Sequence, residues 1–204
     1  GTVTTGAITA DITGSNNNGV NIQTGGSIVT TGAITITTTN GDNTNAFNLQ
    51  SGAGITAADA VTINMNGNNA NAFNLSGLTA LAGPVAITMA GDNTNAFYVQ
   101  TGANVTVSNA ITANMMGNNA TAFQIHDGTA IAGPVDITMA GNNTNGFSVD
   151  SHLTVADVTI DITGDNAHGL SVNGGNITAQ GSTTLHMNGQ NSSGLSTNSG
   201  AISI

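Results

Sequence analysis

The sequence predicts an all-β protein, a right-handed parallel β-helix of about eight turns, with about 25 residues and three short strands per turn. Three observations predict it. A Gly-x-Asn signature returns at regular intervals, each interval holds three runs of alternating apolar residues, and Glu, Lys and Arg are absent. We interpret residues 1–204 as one repeat domain, and expect it to be a fragment of a longer rod or a subunit that stacks.

The period is set by a glycine and by an asparagine two residues after it. Successive anchor glycines are 27, 26, 24, 26, 24, 23 and 25 residues apart: Gly14, Gly41, Gly67, Gly91, Gly117, Gly141, Gly164 and Gly189. The asparagines are Asn16, Asn43, Asn69, Asn93, Asn119, Asn143, Asn166 and Asn191. Such a period is typical of a solenoid, and we expect each Asn amide to donate to the copy in one neighbouring turn and accept from the other.

The three strands are read from apolar residues at every second position. The first run precedes the anchor, as in Val61, Ile63 and Met65. The second follows the turn and forms a column of Val20, Phe47, Phe73, Phe97, Phe123, Phe147, Leu170 and Leu195. The third is looser and carries Ile55, Leu78, Val105 with Val107, Ile131, Leu153 with Val155, Ile177, and Ile202 with Ile204.

Stacking of equivalent strands predicts where the core lies. Turns repeat at about 4.8 Å, so eight turns make a rod of roughly 38 Å. The phenylalanines should form an internal aromatic stack, whereas Thr88 and Tyr98 should face outward. A single turn has no core of its own, and burial comes from the neighbouring turns.

Composition excludes several classes of partner. All ten formal charges are Asp, and no Lys or Arg is present, so the chain cannot neutralise phosphates or hold an anionic membrane surface. We therefore expect no nucleic acid partner and no membrane insertion by this segment. Cysteine is absent, which excludes disulfides and thiol chemistry, and no motif calls for a cofactor.

Carboxylates after the anchor glycines are separated by amides. This column reads Ser15, Asp42, Asn68, Asp92, Asn118, Asn142, Asp165 and Gln190, so no two Asp are neighbours. Two carboxylates at about 4.8 Å would repel by roughly 1 kcal/mol even in water. Asn carbonyls crowd Asp42, Asp92 and Asp165, which makes these three the candidates for weak Ca²⁺ binding.

An enzyme alternative depends on three residues of the first strand's outward face. The register places Asp161 and His186 in one column on adjacent turns, and Asp136 one turn before Asp161 and two residues earlier along the strand. Strand rise and turn spacing put the two Asp roughly 8 Å apart, as in an inverting glycosidase. Against catalysis, no Lys or Arg is available to stabilise a uronate or a developing anion.

The other histidines do not converge on a metal cluster. His126 with Asp127, and Asp150 with His152, are interpreted as local surface pairs. An ice-binding face is a further alternative, but the outward residues of the first strand do not form regular Thr rows.

Several segments resemble the passenger β-helix of bacterial autotransporters and related pertactin-like surface adhesins. The resemblance depends on Gly-Asp-Asn-Ala-His-Gly-Leu-Ser-Val (164–172), Gly-Gly-Asn-Ile-Thr-Ala (174–179) and Gly-Gln-Asn-Ser-Ser-Gly-Leu-Ser (189–196), and it covers essentially the whole chain. It implies an exported rod that acts as a stalk or adhesive surface, often without enzymatic activity.

The sequence therefore favours a non-catalytic extracellular β-solenoid at a bacterial cell surface, an adhesin stalk or filament subunit. We expect self-association end to end or side by side, and contact with host or cell-surface glycans or proteins. The alternative is a β-helical polysaccharide hydrolase or lyase.

Overall fold

The computed structural model describes residues 1–204 as a parallel β-solenoid of 23 strands without a helix. Thr, Val and Ile are frequent in the strands and Gly and Asn at the corners, as the local propensities of these residues favour. No helix is available that is long and apolar enough to cross a membrane.

Each turn contributes one strand to each of three ladders. The first-run strands form an eight-stranded sheet of β2 (Ile8–Thr13), β5 (Ile34–Thr39), β8 (Val61–Asn66), β11 (Val85–Ala90), β14 (Ile111–Met116), β17 (Val135–Ala140), β20 (Val158–Thr163) and β22 (Thr183–Asn188). The second run gives β3 (Asn18–Ile22), β6 (Asn45–Leu49), β9 (Asn71–Leu75), β12 (Asn95–Val99), β15 (Thr121–Ile125) and β18 (Asn145–Val149). The third gives β1 (Thr2–Thr5), β4 (Ser27–Thr30), β7 (Gly54–Ala57), β10 (Leu78–Leu81), β13 (Asn104–Val107), β16 (Thr129–Ala132) and β19 (His152–Val155).

Two long strands near the end of the chain join the second and third ladders. β21 (His168–Ala179) and β23 (Ser193–Ser203) run through both positions without a break, so the two ladders count as one 15-stranded sheet. Strands pair in parallel with their equivalents one turn away, as when Val85 of β11 aligns with Val61 and Ile111. The predicted fold class and register are confirmed.

The core is a column of side chains from all three ladders. It contains 51 buried residues in one cluster. At its centre the five phenylalanines are fully buried and stacked, with ring centroids 4.8, 4.7, 4.7 and 4.9 Å apart from Phe47 through Phe147. Apolar burial at this spacing is possible only because each ring is covered by the turns above and below it.

The third strand differs from its apolar pattern at two places. Leu78 is 59% exposed and Ile131 is 50% exposed, whereas Thr79 and Ala130 point into the core. Thr79 is in register with Ile55 and Val105, which are both buried. The parity of the strand is therefore set by its neighbours in the ladder, and Leu78 is turned outward.

The Asn column after the anchor glycines has a structural role, but that role is not the amide ladder that the sequence predicted. All eight asparagines have left-handed backbone geometry, with φ between 53° and 63°. Asn is the non-glycine residue that best tolerates this conformation. Only two neighbouring pairs in the column join their amides, Asn119 with Asn93 at 3.1 Å and Asn191 with Asn166 at 3.4 Å.

Amide ladders do occur, on the outer face of the second strand. The Nδ2 of Asn45, Asn71 and Asn95 each donates to the Oδ1 one turn earlier at 2.9 Å, in a chain that begins at Asn18. A second ladder joins Asn74 to Asn48 and Asn48 to Asn21 at 3.1 and 3.0 Å. These ladders cross-link successive turns on the solvent side of the sheet.

The anchor glycine is required where backbones of successive turns meet. At Gly117 the φ is 152°, and an added Cβ would lie 2.0 Å from the carbonyl oxygen of Gly91. A side chain at this corner would force the turns apart.

Candidate functional site

The three candidate catalytic residues occupy the predicted positions on the first-run sheet. Asp161 aligns with His186 of the next turn, and Asp136 aligns with Thr159, two residues before Asp161. The sheet therefore brings the two carboxylates and the imidazole to one face, as the sequence predicted.

Their surroundings are open. Asp136, Asp161 and His186 are all exposed, and no hydrogen bond joins any of them to another side chain. A depression of about 250 Å³ lies beside Asp136 at the corner with Pro134 and Asp157, but Asp161 and His186 do not line it. Neither depression of the rod therefore contains both carboxylates and the imidazole, as an enclosed substrate site would require.

The candidate calcium residues are fixed by the backbone of the following turn. The Oδ1 of Asp42 accepts from Asn68 N at 2.7 Å, that of Asp92 from Asn118 N at 2.7 Å, and that of Asp165 from Gln190 N at 2.8 Å. The intervening Asn68 accepts from Asp92 N in the same way, at 2.8 Å. The column is thus a chain of side-chain acceptors that tie turn to turn.

This bonding accounts for the Asp and Asn alternation. Both side chains present the same Oδ1 acceptor, so the backbone requirement is met while carboxylates stay apart. A polar depression of about 230 Å³ lies beside Asp42, between Asn40, Asn66 and Asn68. Asp42 is its only charged residue, and nowhere in the chain do three His or Asp side chains gather as ligands for one ion.

Four side chains on the outer face of the second strand form a cluster that the sequence did not predict. The His126 ring lies edge to face with the Tyr98 ring, with centroids 5.4 Å apart and planes at 89°. His126 Nδ1 is 3.0 Å from Asp150 Oδ2, and its Nε2 is 3.2 Å from Gln124 Nε2. We call Tyr98, Gln124, His126 and Asp150 the tyrosine platform.

The interpretation of His126 as the partner of Asp127, and of Asp150 as the partner of His152, was wrong, because His126 and Asp150 pair with each other. His126 and Asp150 each stand nine residues after their anchor glycine, so they occupy the same column on adjacent turns. Tyr98 and Gln124 likewise both stand seven residues after their anchors, and the two are in register. The signal was present in the sequence, but it appears only when outward residues are compared between turns rather than along the chain.

Hydrogen bonding assigns the tautomer of His126. An ionised Asp150 carboxylate can only accept hydrogen bonds, so Nδ1 of His126 donates to it. In the neutral ring Nε2 is then the acceptor, and the Gln124 amide donates to it. Histidine orientation and amide orientation are thus fixed together.

Comparison with other proteins adds no assignment. No family model matches the chain, and neither a curated protein nor a solved structure is significantly similar to it. The function of this chain must therefore be inferred from its own residues.

Proposed function

We propose that this chain is a non-catalytic, extracellular structural and adhesive β-solenoid, an adhesin stalk or surface-filament subunit of a bacterial cell. The observation that carries the proposal is the uniformity of the fold: every turn repeats the same ladders around one continuous core. A rod of this kind presents long, flat and regular faces, which suit contact with extended partners or with sister rods.

The outer faces resemble a contact surface rather than an enclosed active site. They carry Asn, Thr and Ser side chains at the ladder spacing, and the two depressions present are shallow and open. Polar, hydrogen-bonding faces favour glycans, protein surfaces or other copies of the rod as partners, and self-association end to end or side by side belongs to the proposal. The resemblance of residues 164–172 and 189–196 to autotransporter passengers supports the extracellular location.

Adhesion is tested with beads coated with the full chain at fixed density. We expect chain-coated beads to be retained on epithelial cell layers, or to clump with each other, well above albumin-coated beads. Retention and clumping at the albumin level would overturn the adhesive proposal.

A second candidate, polysaccharide hydrolysis or lysis, is kept because the sheet does bring Asp136, Asp161 and His186 to one face. The full chain is incubated with neutral and uronate polysaccharides, and new reducing ends and unsaturated products are measured. Release that disappears in Asp161→Asn would favour the enzyme and overturn the non-catalytic part of the proposal. The non-catalytic proposal expects no release by either protein.

A further inference from the structure

Tyr98 is the only tyrosine in the chain, and no tryptophan is present. The five phenylalanines are all buried in the central stack, so Tyr98 supplies the one aromatic side chain other than histidine that faces outward. It stands in the column of Asn21, Asn48 and Asn74, where it ends the amide ladder. The exposed aromatic surface of the rod is therefore concentrated at one point.

Around Tyr98 the polar side chains are held in place. Gln124 lies directly one turn after it, and Gln100, two residues along the strand, donates its amide N–H to Asn74 Oδ1 one turn earlier. His126 packs against the Tyr98 ring and is anchored by Asp150. These side chains are already ordered by one another, so a ligand would meet a surface that needs little further ordering.

We propose that the tyrosine platform is a binding subsite for an uncharged sugar residue of a glycan. An aromatic ring offers an apolar surface to the C–H face of a pyranose, and the surrounding amides, carboxylate and Tyr98 hydroxyl offer donors and acceptors to its hydroxyls. The Tyr98 hydroxyl takes part in no hydrogen bond within the chain, and Asp150 has a second carboxylate oxygen beyond the one that meets His126. The platform lies outside both depressions of the rod, so the sugar residue would bind on an open surface.

Charge selects among sugars. The ionisable groups on and beside the platform are Tyr98, His126, Asp127, Asp150 and His152, and the whole chain carries a formal charge of −10 with no Lys or Arg. Uronates, sialic acids and sulfated sugars would meet carboxylates and no cation, so their binding is opposed. Neutral sugars, including N-acetylated ones that match the Gln and Asn amides, are not opposed.

This inference rests on the proposed adhesive function, for which it names a class of partner. Tyr98 also serves as a fluorescent reporter of the site, because it is the only tyrosine and the chain has no tryptophan. Full-length chain is titrated with three probes, chitotriose and cellotriose as neutral sugars and trigalacturonate as the anionic one. Saturation-transfer NMR is followed in every titration, and Tyr98 emission is followed as well wherever the chain keeps Tyr98.

The matched variants are Tyr98→Asn and Tyr98→Phe. Asn is native to this column in Asn74, so the backbone accepts it, and circular dichroism confirms the fold of both variants. We expect a neutral probe to bind, trigalacturonate to bind more weakly, and Tyr98→Asn to lower the affinity by about tenfold or more, as loss of a stacking surface predicts. Tyr98→Phe keeps the ring and should stay within about threefold of the native affinity. A third variant, His126→Gln, introduces the residue that the chain already has at Gln100 in the same column, and it should weaken binding by a smaller factor.

The proposal is overturned if neither neutral probe binds, if Tyr98→Asn binds as tightly as the native chain, or if trigalacturonate binds best. If the chain-coated beads still adhere to cells in any of these cases, the adhesive function is retained and only this subsite is rejected. Adhesion that depends on Tyr98 but is not inhibited by neutral sugars would mean a protein partner at the platform, and would also overturn the saccharide assignment.

Discussion

Paired Phe→Leu substitutions measure how much the aromatic stack stabilises the rod beyond burial. Phe97 lies between Phe73 and Phe123, with both centroids 4.7 Å away and nearly parallel planes. Phe147 stacks on Phe123 alone, at 4.9 Å and 29°, and its neighbour on the other side is Leu170. Both rings have 0% exposure, so the two sites differ in the number of stacked partners and not in burial.

The expected losses follow from this count. Leu is native to the column at Leu170 and Leu195, so the backbone accommodates it. Replacing a buried Phe by Leu should cost about 1–1.5 kcal/mol in packing, and each lost stacked pair should add about 0.5–1.5 kcal/mol. Phe97→Leu, which loses two pairs, should therefore destabilise the chain by about 0.5–1.5 kcal/mol more than Phe147→Leu. Phe97→Ala should cost about 3–5 kcal/mol.

The assay is equilibrium urea unfolding followed by far-ultraviolet circular dichroism. Solenoids can lose end turns before the middle, so the comparison holds only where the variants share one m-value with the native chain. Equal losses for Phe97→Leu and Phe147→Leu would refute an aromatic contribution beyond burial. A loss below about 1 kcal/mol for Phe97→Ala would refute the central position of the column itself.

Substitutions at three further positions test the corners and one buried hydroxyl, each by the same unfolding measurement. Thr79→Val should stabilise the chain by about 1–2 kcal/mol, because the buried Thr79 hydroxyl has no hydrogen-bond partner; a loss of stability would contradict this. Gly117→Ala should cost about 2–5 kcal/mol because its Cβ would collide with the Gly91 carbonyl, and a near-neutral result would mean that the corner can open. Asp92→Ala should cost about 1 kcal/mol through loss of the acceptor for Asn118 N, whereas Asp92→Asn should be near neutral; equal losses would show that charge, not acceptance, matters.

Much of the fold could be predicted because the repeat supplies the same information many times. The first- and second-run strands have strong alternation in nearly every turn. Their inward columns were assigned correctly except at Leu195 in the last turn, which is 46% exposed. In the third strand, Leu78-Thr79-Ala80-Leu81 has leucines of opposite parity, so alternation within that strand is ambiguous. The register with Val105 and Val107 resolves it by turning Leu81 inward and Leu78 outward.

The candidate site was predicted unevenly. The alignment of Asp161 with His186 and its offset from Asp136 follow from the anchor spacing alone, and the structure agrees. The tyrosine platform was missed because histidines were compared with their neighbours along the chain. In a parallel ladder the nearest side chain is about 4.8 Å away in the next turn, whereas the next residue on the same face of a strand is about 6.6 Å away.

By itself, the sequence determined the architecture, the period and the buried phenylalanine column, because the residues that specify each of them recur in nearly every turn. Only the tertiary structure decided which way Leu78 and Ile131 face, that the repeated turn asparagines serve left-handed backbone rather than a continuous amide ladder, and that His126 bonds to Asp150. These are contacts between turns, and their outcome depends on side-chain direction at a shared spacing rather than on any one segment's pattern.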